Sequence, residues 1–122
     1  MKYYSELGDD RFVYETFFKY RSKPGIYLEA YASDGIQSSS TKAFEEIGWT
    51  GILIEPIQEV FTELVKNRPK NKCLQIFLDN KESVVKLDGR HTKTDRLDNV
   101  IRKSGFKSID ALFLNLQGTA TE

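Results

Sequence analysis

The stretch spanning residues 25–55 constrains the fold most, because it reads as a strand, a helix and a second strand. Residues 26–30 form a short apolar run rich in strand-forming side chains, opened and closed by turn signals. Hydroxyl side chains at 38–41 can then cap a helix that a glycine ends, and residues 51–55 form a second apolar strand stopped by a proline. This order of elements predicts one βαβ unit with a right-handed crossover.

The rest of the chain continues the alternation of helices and strands. A first helix is predicted at 9–21, where two acidic residues precede an amphipathic pattern. Later patterns predict a helix between Pro56 and Pro69, strands at 73–78 and 109–116, a short edge strand at 83–87, and a helix capped by Thr94 or Asp95. We therefore predict one α/β domain over residues 1–122, with a truncated, mostly parallel sheet of about four principal strands and helices on both faces.

Composition argues against several classes of protein. The 122 residues carry 18 basic and 18 acidic side chains, so no net charge points to nucleic acid or an anionic membrane as a partner. No apolar run approaches the ~20 residues of a membrane span, and the single cysteine favours a reducing, intracellular compartment. The basic run at 66–72 predicts a solvated helix end. The polar residues around His91 predict that this histidine lies in a solvated turn. The scattered acids predict no metal site.

The second strand of the βαβ unit ends in an acidic residue, Glu55. Open α/β sheets bind nucleotide-like ligands in the crevice at the carboxyl ends of their strands. There the Glu55 carboxylate could accept hydrogen bonds from two ribose hydroxyls. The alternative is that Glu55 merely ends a strand at the protein surface.

Four segments carry a resemblance to a known family: residues 4–13, 48–56, 92–98 and 109–118. The second, Gly-Trp-Thr-Gly-Ile-Leu-Ile-Glu-Pro, is the most specific. The chain resembles the FkbM-type methyltransferases, a family of S-adenosylmethionine-dependent enzymes, as a divergent and truncated member. The resemblance implies a Rossmann-like methyltransferase fold, with S-adenosylmethionine lying across the strand ends as the methyl donor.

The resemblance also implies which residues surround the donor. Glu29 and the turn at 34–35 would lie on its methionine side. Glu55 would contact its ribose, and Asp79 would lie near its adenine. The full set of implied cofactor-binding residues is Glu29, Tyr31, Ser33, Asp34, Gly35, Ser39, Glu55 and Asp79. Asn115 and Gln117 follow the last strand, would face the reaction centre, and are the candidates for a catalytic role.

Several of these positions depart from the family pattern. Tyr31 stands where the family has a glycine that lets the backbone approach the donor, so its ring could occupy the donor's space. Ile76 and Phe77 stand where the family favours small residues. Asn115 and Gln117 replace an aspartate and a glutamate, and amides cannot act as general bases near neutral pH.

These departures leave three hypotheses. The first is a degenerate methyltransferase-like domain that binds no cofactor and serves as a structural or interaction subunit, with a partner protein covering its exposed sheet edge. The second is an active S-adenosylmethionine-dependent O-methyltransferase with an altered pocket. The third is a module that binds another nucleotide-like ligand in the same crevice, with Tyr31 stacking on a ring.

Overall fold

The computed structural model describes residues 1–87 and 89–115. Strands form two sheets, and four α-helices accompany them in these ranges. The strands are β1 (Ile26–Ala30), β2 (Thr50–Ile54), β3 (Lys72–Leu74), β4 (Phe77–Leu78), β5 (Ser83–Leu87), β6 (Arg90–Asp95) and β7 (Ala111–Leu114). The helices are α1 (Asp9–Val13), which continues as a π-helical turn at Tyr14–Phe18, α2 (Lys42–Glu46), α3 (Gln58–Asn67) and α4 (Leu97–Ser104).

The main sheet has the strand order β3-β2-β1-β7, and every neighbouring pair in it is parallel. Ile26 of β1 lies opposite Thr50 of β2, and Tyr27 lies opposite Ala111 of β7. Parallel strands are covered on both faces, which is why β1 and β2 read as nearly continuous apolar runs. The predicted α/β fold, with a mostly parallel sheet of four principal strands, is confirmed.

Alternate residues of the strands pack against helices on opposite faces of the main sheet. Tyr27, Leu53 and Phe113 pack on one face with the N-terminal helix, α2 and α3. Leu28 and Ile52 pack on the other face, together with α4. The period of two along each strand produces this division. The prediction of helices on both faces is therefore also confirmed.

An aromatic cluster fixes α2 against the sheet. The ring centroids of Phe44 and Trp49 are 4.9 Å apart, and those of Phe18 and Trp49 are 5.0 Å apart. Phe44 also lies 6.0 Å from Phe113 of β7. Phe44 and Trp49 are buried, so the helix and the turn that follows it are anchored by large side chains.

The prediction of one continuous strand at 73–78 was wrong. β3 ends at Leu74, and Phe77 begins β4, which belongs to a second sheet of order β4-β6-β5. The strand predicted at 83–87 is present, but it is one arm of an antiparallel hairpin with β6 rather than an edge of the main sheet. β6 went unpredicted because its six residues, Arg-His-Thr-Lys-Thr-Asp, are all polar.

Three predicted boundaries also change. The first helix ends at Phe18 rather than at 21, and the last strand occupies Ala111–Leu114 within a predicted 109–116. Thr94 and Asp95 both lie in β6, and the N-cap residue of α4 is Arg96 with no side-chain cap hydrogen bond, so both predicted caps were wrong. Asp95 precedes α4, and its carboxylate accepts a hydrogen bond from the backbone N–H of Arg96 at 2.8 Å.

In the ranges 1–87 and 89–115, no helix is long and apolar enough to cross a membrane.

Candidate functional site

The predicted donor-binding residues cluster where β1, β2 and β7 end. The loop after β1 runs from residue 31 to residue 41 and contacts both neighbouring strand ends. Ser33 of this loop reaches Glu55 after β2, and Ser40 reaches Asn115 after β7. The predicted crevice at the carboxyl ends of the strands therefore brings most of these residues together.

Glu29 is completely buried at the centre of this cluster. Its carboxylate accepts five hydrogen bonds, from the Ser39 hydroxyl, the Ser40 N–H, the Thr41 N–H and hydroxyl, and the Asn115 amide. The shortest two are 2.5 Å from Asn115 Nδ2 and 2.6 Å from Thr41 Oγ1. A carboxylate has about four lone-pair sites, so Glu29 has no capacity left for the amino group of a ligand.

Asn115 closes the cluster from the side of β7. Its Nδ2 donates to Glu29, and its Oδ1 accepts from the Ser40 hydroxyl at 3.3 Å. An aspartate here would place a second carboxylate beside the buried Glu29 and repel it. The Asn115 amide can therefore donate a hydrogen bond to Glu29, whereas an aspartate at this position could not.

Glu55 joins two loops rather than ending a strand at the surface, so the surface alternative was wrong. Its Oε1 accepts from the Ser33 N–H at 2.9 Å, and its Oε2 accepts from the Ile57 N–H at 3.1 Å. Only 6% of Glu55 is exposed. Burial raises the pKa of this carboxyl, and the two N–H groups partly offset that rise.

Tyr31 stands at the end of β1 with a left-handed backbone, at φ 60°. This conformation costs a residue with a Cβ roughly 1–2 kcal/mol, and glycine adopts it freely. The half-buried ring packs edge-on against Phe77, with 5.9 Å between centroids. Burial raises the pKa of the phenol, a hydrogen bond with the Leu78 backbone lowers it, and the carboxylates of Glu55 and Asp79 raise it further. Both carboxylates predicted for ribose and adenine therefore act electrostatically on this phenol.

The turn at Asp34 and Gly35 has internal partners. The Asp34 Oδ1 accepts from the N–H groups of Ile36 and Gln37, both at 2.9 Å. Gly35 has φ 80°, and a Cβ there would lie 2.7 Å from side-chain atoms of both Arg68 and Leu64. Glycine is thus required at this position by the close approach of α3.

One predicted residue of the described ranges, Asp79, lies apart from this cluster. Asp79 is exposed after β4, and its carboxylate accepts from the N–H of Asn80 at 2.7 Å. It belongs to the second sheet, although its charge reaches Tyr31. Gln117 lies outside the described residues.

Arg68 is the residue that sequence reasoning missed, because the run at 66–72 was predicted to be solvated. Lys66, Lys70 and Lys72 are exposed as predicted, but Arg68 is completely buried. Its guanidinium donates to the Gly35 carbonyl at 2.9 Å, the Ser39 hydroxyl at 3.3 Å, the Tyr27 hydroxyl at 2.9 Å and the Thr41 hydroxyl at 3.0 Å. These partners lie 27 to 41 residues away in the chain, so no local pattern signals them.

Glu45 supplies the countercharge for Arg68. The Arg68 Nε lies 2.8 Å from Glu45 Oε1, although its N–H does not point along this contact. Asn71 donates to the other oxygen of Glu45 at 2.6 Å and accepts from the Tyr27 hydroxyl. We call this connected polar set the Arg68 network: the buried residues Tyr27, Glu29, Ser39, Thr41 and Arg68 with the half-buried Glu45 and Asn71. The shared partners Ser39 and Thr41 link Arg68 to Glu29.

The described part of the crevice holds no group of acidic, histidine or cysteine side chains able to bind a metal ion. His91 is exposed as predicted, although it lies in β6 rather than in a turn, and Cys73 lies in β3, so neither side chain joins the acids at the strand ends. The polar groups that do meet there are held by one another and by backbone N–H groups. Comparison of the chain with protein-family models, curated proteins and solved structures gave no match.

Proposed function

We propose that this chain is a methyltransferase-like domain that has lost its donor site and works as a structural or interaction subunit. The observation that carries the proposal is the set of five hydrogen bonds that the Glu29 carboxylate accepts within the chain. A carboxylate so occupied has nothing left to offer a ligand's amino group. The residues at the strand ends thus fit S-adenosylmethionine poorly.

Tyr31 supports the same proposal on the other side of the crevice. Its ring packs against Phe77, and its phenol is acted on by the charges of Glu55 and Asp79, the residues predicted for the ribose and the adenine. Glu55 keeps unused lone pairs, but it is buried behind the loop that it holds. A donor would therefore have to displace the Tyr31 ring and open the contact between Ser33 and Glu55.

The role as an interaction subunit is supported by the outer edge of β7. In the described residues β7 pairs with β1 alone, which leaves the backbone groups of its other edge unpaired. Leu112 and Leu114 are about half exposed beside this edge, and Phe12 and Phe17 of the N-terminal helix are exposed on the other side. An extended partner segment would gain backbone hydrogen bonds and alternate apolar contacts there.

The donor site is tested by titrating the purified chain with S-adenosylmethionine and with S-adenosylhomocysteine. Calorimetry and thermal unfolding should both show no binding at millimolar ligand. A ligand present at 100 times its dissociation constant would add about 2.7 kcal/mol of stability, so even weak binding is visible. Saturable binding that Glu55→Ala abolishes would reject the proposal in favour of an active methyltransferase.

The substitution Tyr31→Gly examines why the donor is excluded. Glycine suits the positive φ and removes the ring, so the variant should fold and gain measurable affinity for S-adenosylhomocysteine if the ring is the main obstacle. Tyr20→Gly is the control for losing a tyrosine, because that side chain is 91% exposed and remote from the strand ends. Stabilisation of the wild type by another nucleotide, lost in Tyr31→Gly, would favour the third hypothesis.

The interaction role is tested with a photo-crosslinking residue placed at Leu112 in the cells that make the protein. A specific protein adduct should form there, and a second substitution, Leu114→Lys, should abolish it. The matched control carries the crosslinker at Val65, which is similarly exposed on α3. Equal adducts from both positions, or none from Leu112, would contradict the assigned edge.

A further inference from the structure

A cavity of about 700 Å³ lies between the main sheet, α4 and the second sheet, and none of the predicted donor-binding residues lines it. Its apolar lining includes Ile52 of β2, Leu74 of β3 and Val100 of α4. Val84 of the β5–β6 hairpin lines it from the second sheet. Cavities of this size with mostly apolar walls are typical of sites for small organic ligands.

The cavity exists because the two sheets separate. The chain leaves the main sheet after Leu74, and Phe77 already pairs with Thr94 of β6. Ile76 lies in the connection and also lines the cavity. In this region α4 packs against the sheet face, whereas the hairpin of the second sheet stands away from it and leaves the cavity.

Most charges at the cavity compensate one another. Lys103 Nζ lies 3.2 Å from Glu82 Oε2 and 3.1 Å from Asp95 Oδ2, so this cation has two acidic partners. The pKa of Lys103 is raised by these contacts, and that of Asp95 is lowered through its hydrogen bonds with Lys103, Arg96 and Asn99 despite an opposing desolvation. Glu82 and Asp95, the two acidic residues that line the cavity, are thus both paired with Lys103.

Two further lysines line the same cavity. Lys72 Nζ donates to the Ser104 carbonyl at 2.6 Å and lies 5.5 Å from the centre of the Phe106 ring. Lys93 forms no ion pair with any acidic side chain of the residues that the structure describes. The lining therefore combines apolar side chains with an excess of positive charge, and Lys93 is its most available cation.

We propose that this cavity binds an apolar small molecule with a single anionic group, such as a medium-chain carboxylate. Its apolar body lies on Ile52, Leu74 and Val100, and its anion pairs with Lys93. A ligand cation would meet Lys72 and Lys93 without a free acid to pair with, so the charges select an anion. The site is independent of the strand-end crevice and of the function proposed for it.

The test is calorimetric titration of the wild-type chain with decanoate and with the neutral decan-1-ol, both below their aggregation concentrations. Decanoate should bind saturably with one site per chain and more tightly than decan-1-ol. NMR chemical-shift changes on titration should fall on Ile52 and on residues 72–76, 82–84 and 93–104, which include the lining of the cavity. Shifts centred instead on the strand-end loop at 31–41 would overturn the location.

Two variants separate the apolar contact from the charge. Val84→Trp places a large ring at the cavity and should abolish binding of both ligands, while Val65→Trp on α3 should leave it intact. Lys93→Glu should weaken decanoate binding about tenfold or more and leave decan-1-ol unchanged. Lys86→Glu, on the same hairpin but outside the cavity, should behave as the wild type.

All four positions are exposed, so thermal unfolding should show each variant folded. Absence of saturable decanoate binding to the wild type would overturn the proposal. Binding that survives Val84→Trp would overturn the site. Equal effects of Lys93→Glu on both ligands would overturn the anionic class of the ligand.

Discussion

Arg68 is a charged residue with no exposed surface, and its partners come from distant parts of the chain. Removing a buried charge leaves its countercharge and hydrogen-bond partners unpaired in a region of low dielectric constant. Arg68→Met keeps the apolar stem and isolates this effect. We expect it to lower the free energy of unfolding by roughly 3–5 kcal/mol, measured by denaturant titration.

Lys66→Met provides the matched control two residues earlier, in the last turn of α3, which Arg68 follows directly. Its side chain is 71% exposed, and its contact with Glu63 is long, at 3.9 Å. An exposed pair contributes little, so this substitution should change the free energy of unfolding by less than about 0.5 kcal/mol. If the two variants lose the same stability, the buried role of Arg68 is wrong.

Glu55 is a second single residue with an effect on stability, and its contribution to the free energy of unfolding depends on pH. Burial raises the pKa of its carboxyl in the folded state, so the folded chain binds this proton more tightly than the unfolded chain does. The contribution of Glu55 to stability is therefore full below the pKa of the unfolded chain, and it is lost as pH rises through the raised folded-state pKa. Carboxyl NMR titration should find Glu55 above its ordinary range.

Glu59 provides the contrast for that titration. It is exposed, and hydrogen bonds from its own backbone N–H and from Arg90 lower its pKa. A Glu55 carboxyl that titrates together with Glu59 or below it would contradict the burial effect.

At the scale of elements, the turn after β1 and helix α3 are fitted to each other through Gly35. A Cβ at this position would lie 2.7 Å from Leu64 Cδ1 and from Arg68 Cγ. Gly35→Ala therefore combines the cost of a left-handed alanine, about 1–2 kcal/mol, with a further ~1–3 kcal/mol of crowding. Denaturant titration should show the sum of these two costs as a lower free energy of unfolding.

Gly105→Ala measures the backbone cost alone. Gly105 follows α4 with φ 86°, and nothing lies within 4 Å of a Cβ built there. The two substitutions share a positive φ and differ in packing. Equal losses of stability would mean that the turn and α3 are not in tight contact.

The strands of the main sheet could be predicted because their signal is local. β1 was predicted at 26–30 and β2 at 51–55, within one residue of the observed Thr50–Ile54. The continuous run Cys-Leu-Gln-Ile-Phe-Leu at 73–78 hid a change of sheet, because an apolar run does not show which partner each residue has. The polar strand β6 is held by pairing with β5, which its own composition does not predict.

At the scale of the whole molecule, the position of the candidate site followed from topology, while its internal chemistry did not. Parallel strands bring the residues after β1 and β2 to one edge, so Glu55 was expected beside the loop after β1, and the family resemblance added Glu29, Ser33 and Asn115. Whether a carboxylate there faces a ligand or its own chain depends on donors from distant residues. Thr41 and Asn115 supply those donors to Glu29, and their spacing in the sequence gives no sign of it.

The two sheets should differ in local stability, because they differ in burial. β1 and β2 lie at the centre of the main sheet with four of their five residues buried in each, whereas Val84, Lys86 and Lys93 of the hairpin are exposed. Amides of β1 and β2 should therefore exchange with solvent only on global unfolding. Those of β5 should exchange at least ~10-fold faster through local opening, measured by hydrogen exchange with NMR detection. Equal protection in both sheets would show that they open together, and that the cavity between them is closed by a unit as rigid as the main sheet.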